Sequence, residues 1–95
     1  YSTNLPLRIN VKKVKKNESL LNFGKNKLSS KIYNLNLSIS GNLVEASKNF
    51  FHYLHILDKI KSKGIAVARI PNKGLGRTIN DRLKRGSLKT IKKIS

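Results

Sequence analysis

The sequence predicts an α/β domain with a mostly parallel sheet and two main helices, and three observations support this. An amphipathic helical pattern begins after Gly41, a short apolar run at residues 65–70 follows it, and a second helical pattern begins after the loop 71–76. A helix that leads into a strand, and a strand that leads through a loop into a helix, is the element order of α/β proteins. At 95 residues the chain is long enough for one small domain with a modest core.

The first 40 residues are predicted to be mostly extended. Residues 5–11 alternate apolar and polar side chains, which is typical of a strand. Pro6 lacks a backbone donor, so it belongs at a sheet edge or a strand start. The apolar run 19–23 is a candidate buried strand, and residues 32–40 are a less regular strand or extended segment. The polar connections are residues 12–18 and 24–31.

The first helix has the clearest sequence pattern. Asn42 is its predicted N-cap, and Glu45, three residues later, would complete a capping box. Gly64 is its predicted C-terminal stop. Apolar residues recur at three- and four-residue spacing, and we expect this stripe to face a sheet that contains residues 65–70, a strand covered on both faces. The stripe consists of Leu43, Ala46, Phe50, Leu54 and Leu57, and it is widened by Phe51 and Tyr53.

Leu75, Ile79 and Leu83 recur at every fourth position and predict the second helix. Two glycines, one residue apart, stand at its start and allow two interpretations. They permit a tight turn while Leu75 packs into the core, or they form an anion-binding loop in which Arg77 stands beside the free N–H groups of the helix. The turn is favoured, because the three-glycine spacing of the dinucleotide fingerprint and the Lys-Ser/Thr pair of a phosphate loop are absent.

Few residues suggest chemistry. The chain has no cysteine, which excludes disulfides and thiolate metal sites. His52 and His55 lie three residues apart on the first helix, but no carboxylate or thiol stands nearby in sequence to complete a metal site, so we expect none. No Ser/His/Asp or Cys/His order indicates a nucleophile, so we expect no catalytic residue. Asp81, four residues before Arg85, is expected to form an ion pair on the helix surface.

The given residues show no pattern of a membrane span or of a signal peptide. No apolar run approaches the roughly 18 residues that a membrane span needs. The sequence starts at Tyr1 without a methionine or a signal-peptide pattern, which indicates a fragment or a processed form. We therefore expect a cytoplasmic location and no membrane partner.

The formal charge is +17, from 21 Lys and Arg residues against 4 Asp and Glu residues. A charge of this sign attracts polyanions, RNA first. The alternative is compositional, because Lys, Asn and Ile all have AT-rich codons and a biased genome would enrich them without selection for RNA. The candidate RNA or phosphate contacts are Lys12, Lys13, Lys15 and Lys16 in the first connection, Arg77, and Lys89, Lys92 and Lys93 in the tail.

Two blocks of the sequence, residues 36–58 and 64–87, closely resemble the C-terminal domain of the two-domain threonylcarbamoyl-adenylate synthases of the Sua-five type. The first reads NLSISGNLVEASKNFFHYLHILD and the second GIAVARIPNKGLGRTINDRLKRGS. Both blocks keep the order and spacing of that family, and the region that contains them, residues 36–87, covers over half of the chain. The matching residues are Asn36, Leu37, Ser38, Ser40, Gly41, Leu43, Glu45, Ala46, Asn49, Phe51, Leu54, Leu57 and Asp58, then Pro71, Gly74, Leu75, Gly76, Ile79, Asn80, Asp81, Arg82 and Leu83.

The resemblance implies a Rossmann-like accessory domain. Full-length members make threonylcarbamoyl-AMP from threonine, bicarbonate and ATP, for the modification of tRNA adenosine 37. That nucleotidyltransferase chemistry belongs to an N-terminal catalytic domain that binds ATP and usually Mg²⁺, and its signature has no counterpart here. The resemblance thus implies no cofactor in this chain, no activity of the chain alone, and the catalytic domain of the same polypeptide as its partner.

The resemblance also suggests boundaries and contacts. Residues 1–4 would be the end of the interdomain linker, with Tyr1 near the active-site cover, and residues 5–95 would be the accessory domain. Thr3 stands where the family usually has proline, and Asn72 and Lys73 stand where acidic residues are common. The alternative is a free-standing basic RNA-binding domain that reuses the fold. The expected docking or packing loop comprises Pro71, Gly74, Leu75, Gly76, Asn80, Asp81 and Arg82.

Overall fold

The structure is a computed structural model that describes residues 3–94 and, within that range, the side chains as far as Ser87. The strands are β1 (Leu7–Val11), β2 (Glu18–Asn22), β3 (Asn34–Asn36) and β4 (Gly64–Ala68). The helices are α1 (Leu43–Lys59), between β3 and β4, and α2 (Leu75–Ile94), after β4. The strands form one sheet in the order β1-β4-β2-β3, and every neighbouring pair is parallel. The predicted fold class is confirmed.

The two faces of the sheet are covered by different parts of the chain. Leu21 belongs to the main core, which both helices cover with buried side chains such as Phe50 and Ile79. Its neighbour Leu20 points to the opposite face, because successive side chains of a strand alternate between faces. Loops rather than helices cover that second face. Its small core consists of Val11, Leu20 and Ala66, with half-buried Val14 and Leu28 from the loops before and after β2.

The predicted stripe of the first helix faces the sheet. Phe50, Leu54 and Leu57 have exposed fractions of only 2%, 4% and 0% and share one core with Ile65 and Val67 of β4. All five residues of β4 are buried, because β4 has a neighbouring strand on each side and is covered on both faces. The prediction of a strand covered on both faces is therefore confirmed.

The junction between α1 and β4 differs from the prediction. The helix ends at Lys59, where the N–H of Ile60 bonds to the carbonyl of Leu57 at 3.2 Å. Gly64, the predicted stop, is instead the first residue of β4, which ends at Ala68. The physical reason is that the chain needs residues 60–63 to turn from the helix into the middle of the sheet.

The third strand is shorter than the predicted segment 32–40, because the chain turns toward α1 after Ser38, where the N–H of Gly41 bonds to the carbonyl of Ser38 at 3.1 Å. Up to that turn the segment stays beside β2, since the N–H of Leu37 bonds to the carbonyl of Asn22 at 2.9 Å and the N–H of Gly24 bonds to the carbonyl of Ser38 at 2.8 Å. Gly41 then adopts a φ of 78° ahead of the helix.

The prediction that Leu75 packs into the core is wrong. Leu75 is 41% exposed, whereas Ile79 and Leu83 are each 2% exposed. The reason is that Gly76, one position later, is the residue that lies against Pro71, so Leu75 projects outward at the first position of α2. The backbone of α2 continues to Ile94.

Candidate docking surface and basic cleft

Ser38 connects the end of β3 to the start of α1. Its Oγ accepts the N–H of Asn42 at 2.9 Å and donates to the Glu45 carboxylate. The side chain of Asn42 accepts the N–H of Glu45 at 3.0 Å, so Asn42 is the N-cap as predicted. The capping box differs from the prediction, because the Asn42 N–H bonds to Ser38 while Glu45 reaches only the serine hydroxyl. Ser38 is 2% exposed, so this arrangement is structural.

Two asparagine side chains of the first block hold neighbouring backbone segments together. Asn36 donates to the carbonyl of Gly24 and Asn49 donates to the carbonyl of Leu37, each at 2.9 Å. These bonds join β2, β3 and α1 at one end of the sheet. The polar residues of the first block therefore maintain the fold.

The glycine loop before α2 is a fixed turn. A Cβ at Gly76 would lie 2.0 Å from the carbonyl oxygen of Pro71, so no larger residue fits without moving the backbone. Gly74 has a φ of 52°, in the left-handed region that favours glycine. The N–H of Gly76 bonds to Lys73 O and that of Arg77 to Gly74 O, so both are used within the turn. This geometry supports the turn interpretation over the anion-binding loop.

Exposed apolar side chains lie on the outer surfaces of both helices. Val44 is 53%, Phe51 44% and Leu75 41% exposed, and the guanidinium carbon of Arg82 lies 5.0 Å from the centroid of the Phe51 ring. Val44 and Phe51 are two turns apart on α1, as are Leu75 and Arg82 on α2, so each pair shares a helix face. We call the surface formed by Val44, Phe51, Leu75 and Arg82 the helix-pair face.

The predicted docking residues have three different positions in the structure. Leu75 and Arg82 lie on the helix-pair face. Asn80 donates to the carbonyl of Ile70 at 2.9 Å and Gly76 is buried, so these two residues maintain the turn. Half-buried Pro71 and exposed Gly74 also belong to the turn, and Asp81 pairs with Arg85 at 3.1 Å, as predicted. The prediction that Phe51 widens the buried stripe is wrong, because its ring lies beside Arg82 of α2 and is 44% exposed. Val44 falls outside the predicted stripe, and no role was predicted for it.

The candidate phosphate contacts do not form a single group. Lys12 and Arg77 line one cleft, together with Arg69 and Lys84, which the sequence analysis did not single out. Lys13 borders a different depression, and Lys16 is exposed in the β1–β2 connection. The predicted tail contacts are outside the described side chains: Lys89, Lys92 and Lys93. A signal for Arg69 exists in the sequence, because it directly follows the β4 apolar run.

Glu18 fixes the basic β1–β2 connection. Its carboxylate accepts two hydrogen bonds from Arg8 at 2.8 Å and the backbone N–H of Lys15 at 2.9 Å. Arg8 also donates to the carbonyl of Lys13 at 2.9 Å. The hydrogen bonds from Arg8 lower the pKa of Glu18 below its ordinary value, against an opposing effect of burial. Lys15 therefore has a structural role through its backbone.

Asp58 fixes the first described residues of the chain. Its carboxylate accepts the N–H of Asn4 at 3.0 and 3.1 Å and the N–H of Leu5 at 2.9 Å. Thr3 is buried, and its hydroxyl donates to the carbonyl of Leu5 at 2.9 Å. The N-terminal segment is thus held against the end of α1. Tyr1, the predicted cover residue, lies outside the described residues.

Residues 3–94 were predicted to have no metal site and no membrane span. No group of three His, Cys, Asp or Glu side chains in that range is placed to hold a metal ion. No helix there combines the length and the apolar character that crossing a membrane requires.

Comparison with protein-family models identifies a family. Residues 1–87 match the model described as threonylcarbamoyl-AMP synthase, C-terminal domain. Neither the curated proteins nor the solved structures give a match. The matched region includes both sequence blocks, the helix-pair face and the strands that border the cleft.

Proposed function

The chain belongs to the family of threonylcarbamoyl-AMP synthase C-terminal domains, and we propose that it acts as the accessory domain of such an enzyme. In this proposal residues 1–4 end the interdomain linker and residues 5–95 form the domain. The partner is the catalytic domain of the same polypeptide, which would bind ATP and Mg²⁺ and make threonylcarbamoyl-AMP for tRNA modification in the cytoplasm. The accessory domain contributes no catalytic residue.

The observation that carries the proposal is the helix-pair face. Leu75 and Phe51 expose large apolar side chains at neighbouring helices, although the same chain buries Ile79 and Leu83 almost completely. Apolar side chains clustered on a surface with a cation among them are typical of protein contacts, in which aromatic residues and arginine are enriched. The face therefore suits docking against the catalytic domain.

The Asp58 contacts support the proposal that residues 1–4 end an interdomain linker. By accepting hydrogen bonds from the N–H groups of Asn4 and Leu5, Asp58 fixes the point at which a preceding linker would join the domain. A linker fixed at this point has fewer conformations, so docking and covering the active site cost less conformational entropy.

The test uses the two-domain polypeptide, with the catalytic domain ahead of residues 1–95. Pyrophosphate release with threonine, bicarbonate and ATP is measured for the parent, for Leu75→Asp and for the control Ile39→Asp. Ile39 is 62% exposed and lies in the turn between β3 and α1 rather than on either helix, so the two variants introduce the same charge at different positions. We expect Leu75→Asp to lose most of the activity that the accessory domain confers and Ile39→Asp to keep it.

Two outcomes would overturn the proposal. The first is equal activity of Leu75→Asp and Ile39→Asp in the two-domain protein. The second is pyrophosphate release above background by the purified 95-residue chain alone, which is expected to be inactive.

A further inference from the structure

A basic cleft of about 620 Å³ lies beside the carboxyl ends of β1 and β4 and the first turns of α2. Among its described lining residues Asp81 is the only carboxylate, and it is already paired with Arg85 at 3.1 Å. Four cations line the cleft, so positive charge is in excess there. They are Lys12, Arg69, Arg77 and Lys84.

Two of these cations are placed side by side by the strand register. Val11, the last residue of β1, pairs with Ala68, the last residue of β4. Lys12 and Arg69 are the first residues beyond those paired ends. Within residues 3–87 neither side chain has a carboxylate partner. An anion bound between two neighbouring cations offsets their mutual repulsion, so this placement favours an anionic ligand.

The arginines of the chain also differ in whether another side chain pairs with them. Three of the five have a partner that accounts for their charge or their position. In the part of the chain with described side chains, the other two, Arg69 and Arg77, have neither an acidic partner nor an aromatic ring beside them, and both line the cleft. The three partners are Glu18 for Arg8, the Phe51 ring for Arg82, and Asp81 for Arg85.

The topology explains why a crevice exists here. The chain leaves β1 toward the loop-covered face, where Val14 packs into the small core. It leaves the neighbouring β4 toward the helical face, where α2 begins and packs Ile79 into the main core. Adjacent parallel strands whose connections part to opposite faces leave an opening at their carboxyl ends, and open α/β sheets bind ligands at this position.

We propose that this cleft binds a small polyphosphate through the guanidinium groups of Arg69 and Arg77 and the ammonium groups of Lys12 and Lys84. Guanidinium groups bind phosphate oxygens in pairs, and the volume is in the range of small-ligand sites. The described lining includes no aromatic ring on which a nucleic-acid base could stack, which argues against single-stranded RNA as the ligand. The proposal does not depend on the accessory role.

The test is calorimetric titration of the 95-residue chain with tripolyphosphate, with ATP and with a single-stranded RNA, at about 0.15 M salt, where distant surface charges are largely screened. The variant is Arg69→Gln with Arg77→Gln. The control is Lys25→Gln with Lys31→Gln, which removes the same charge from exposed positions outside the cleft. Amide chemical shifts of the parent chain on adding tripolyphosphate provide a second measurement that needs no variant.

We expect the parent chain to bind one tripolyphosphate, with changes in the amide chemical shifts of Asn10, Arg69 and Arg77. The arginine variant should bind at least about tenfold more weakly, and the affinity of the control variant should change little. Equal affinity for ATP and tripolyphosphate would identify the phosphate chain as the ligand group, and tighter ATP binding would identify a nucleotide; either supports the proposal. Equal losses in both variants, or saturable binding of RNA but of neither polyphosphate, would overturn it.

Discussion

The guanidinium of Arg8 binds both carboxylate oxygens of Glu18 across the central strand β4, with two N–O distances of 2.8 Å. Arg8 lies on β1 and Glu18 on β2, opposite Ala66 and Gly64 of β4 respectively. Because those two residues are small, the ion pair can pass over the middle strand. The pair connects the two strands that flank β4 and holds the β1–β2 connection against the sheet.

Replacing Glu18 with Gln should lower the free energy of unfolding at neutral pH and weaken its dependence on acidic pH. Arg8 lowers the pKa of folded Glu18, so the carboxylate contributes stability above its unfolded-state pKa, and that contribution is lost as the pH falls through the lower folded-state pKa. The Arg8 side chain is 39% exposed, and solvent screens part of the attraction. We therefore expect the loss of unfolding free energy to lie near the lower end of the range of about 1–3 kcal/mol. Urea titrations at several pH values measure this.

The control for that experiment is Asp81→Asn. Asp81 pairs with Arg85 on the surface, where its side chain is 57% exposed, so its loss should change stability by less than about 0.5 kcal/mol. If Glu18→Gln had the same acid sensitivity as the parent chain, the stabilising role of the Arg8 pair would be wrong.

Gly76→Ala should destabilise the domain by about 3 kcal/mol or more, because its Cβ would collide with the carbonyl oxygen of Pro71 at 2.0 Å. Gly74→Ala should cost only about 1–2 kcal/mol, because Gly74 needs a positive φ but has open space around it. Thermal unfolding of both variants gives the comparison. A smaller loss for Gly76→Ala than for Gly74→Ala would contradict the described turn.

Leu54→Ala should cost about 2–5 kcal/mol, because Leu54 is 4% exposed and packs in the main core. Leu75→Ala changes the same residue type on the surface and should cost less than about 1 kcal/mol. Denaturant titration measures both. Similar losses at the two positions would mean that the assignment of the helix faces is wrong.

Ser19→Ala should be neutral or stabilising. Ser19 is fully buried, and its Oγ has no hydrogen-bond partner among the described residues, so the hydroxyl pays a desolvation cost without compensation. Ser38→Ala removes an equally small side chain that is hydrogen-bonded to Asn42 and Glu45, and it should cost about 1–3 kcal/mol. Chemical denaturation of the two variants would show the opposite order if these hydrogen-bond assignments were wrong.

RNA binding should be weak, nonspecific and steeply dependent on salt. The +17 charge attracts phosphates and releases counterions from any RNA, whatever its sequence. We expect a tRNA and an unrelated RNA of equal length to bind alike at low salt and to dissociate near physiological ionic strength in filter-binding assays. A clear preference for tRNA at that salt would favour the RNA-binding alternative, and charge reversal at Lys12, Lys13, Lys15 and Lys16 would then locate the contact.

The sequence alone determined the elements whose signals are local. The N-cap at Asn42, the buried stripe of α1 and the strand covered on both faces follow from capping chemistry and from the spacing of apolar residues, which depend only on nearby positions. The resemblance between residues 36–58 and 64–87 and one family is also local, and the match over residues 1–87 confirms it.

Tertiary structure decided the rest, because it depends on contacts between distant residues. The position of Leu75 depended on the close contact between Gly76 and Pro71, which no periodicity reveals. The placement of Lys12 beside Arg69 depended on the strand order. That order puts β4 next to β1, although more than 50 residues separate the two strands in sequence. A chain with 21 basic residues has many candidate contacts for phosphate, and only the fold determines which of them lie together without a carboxylate partner.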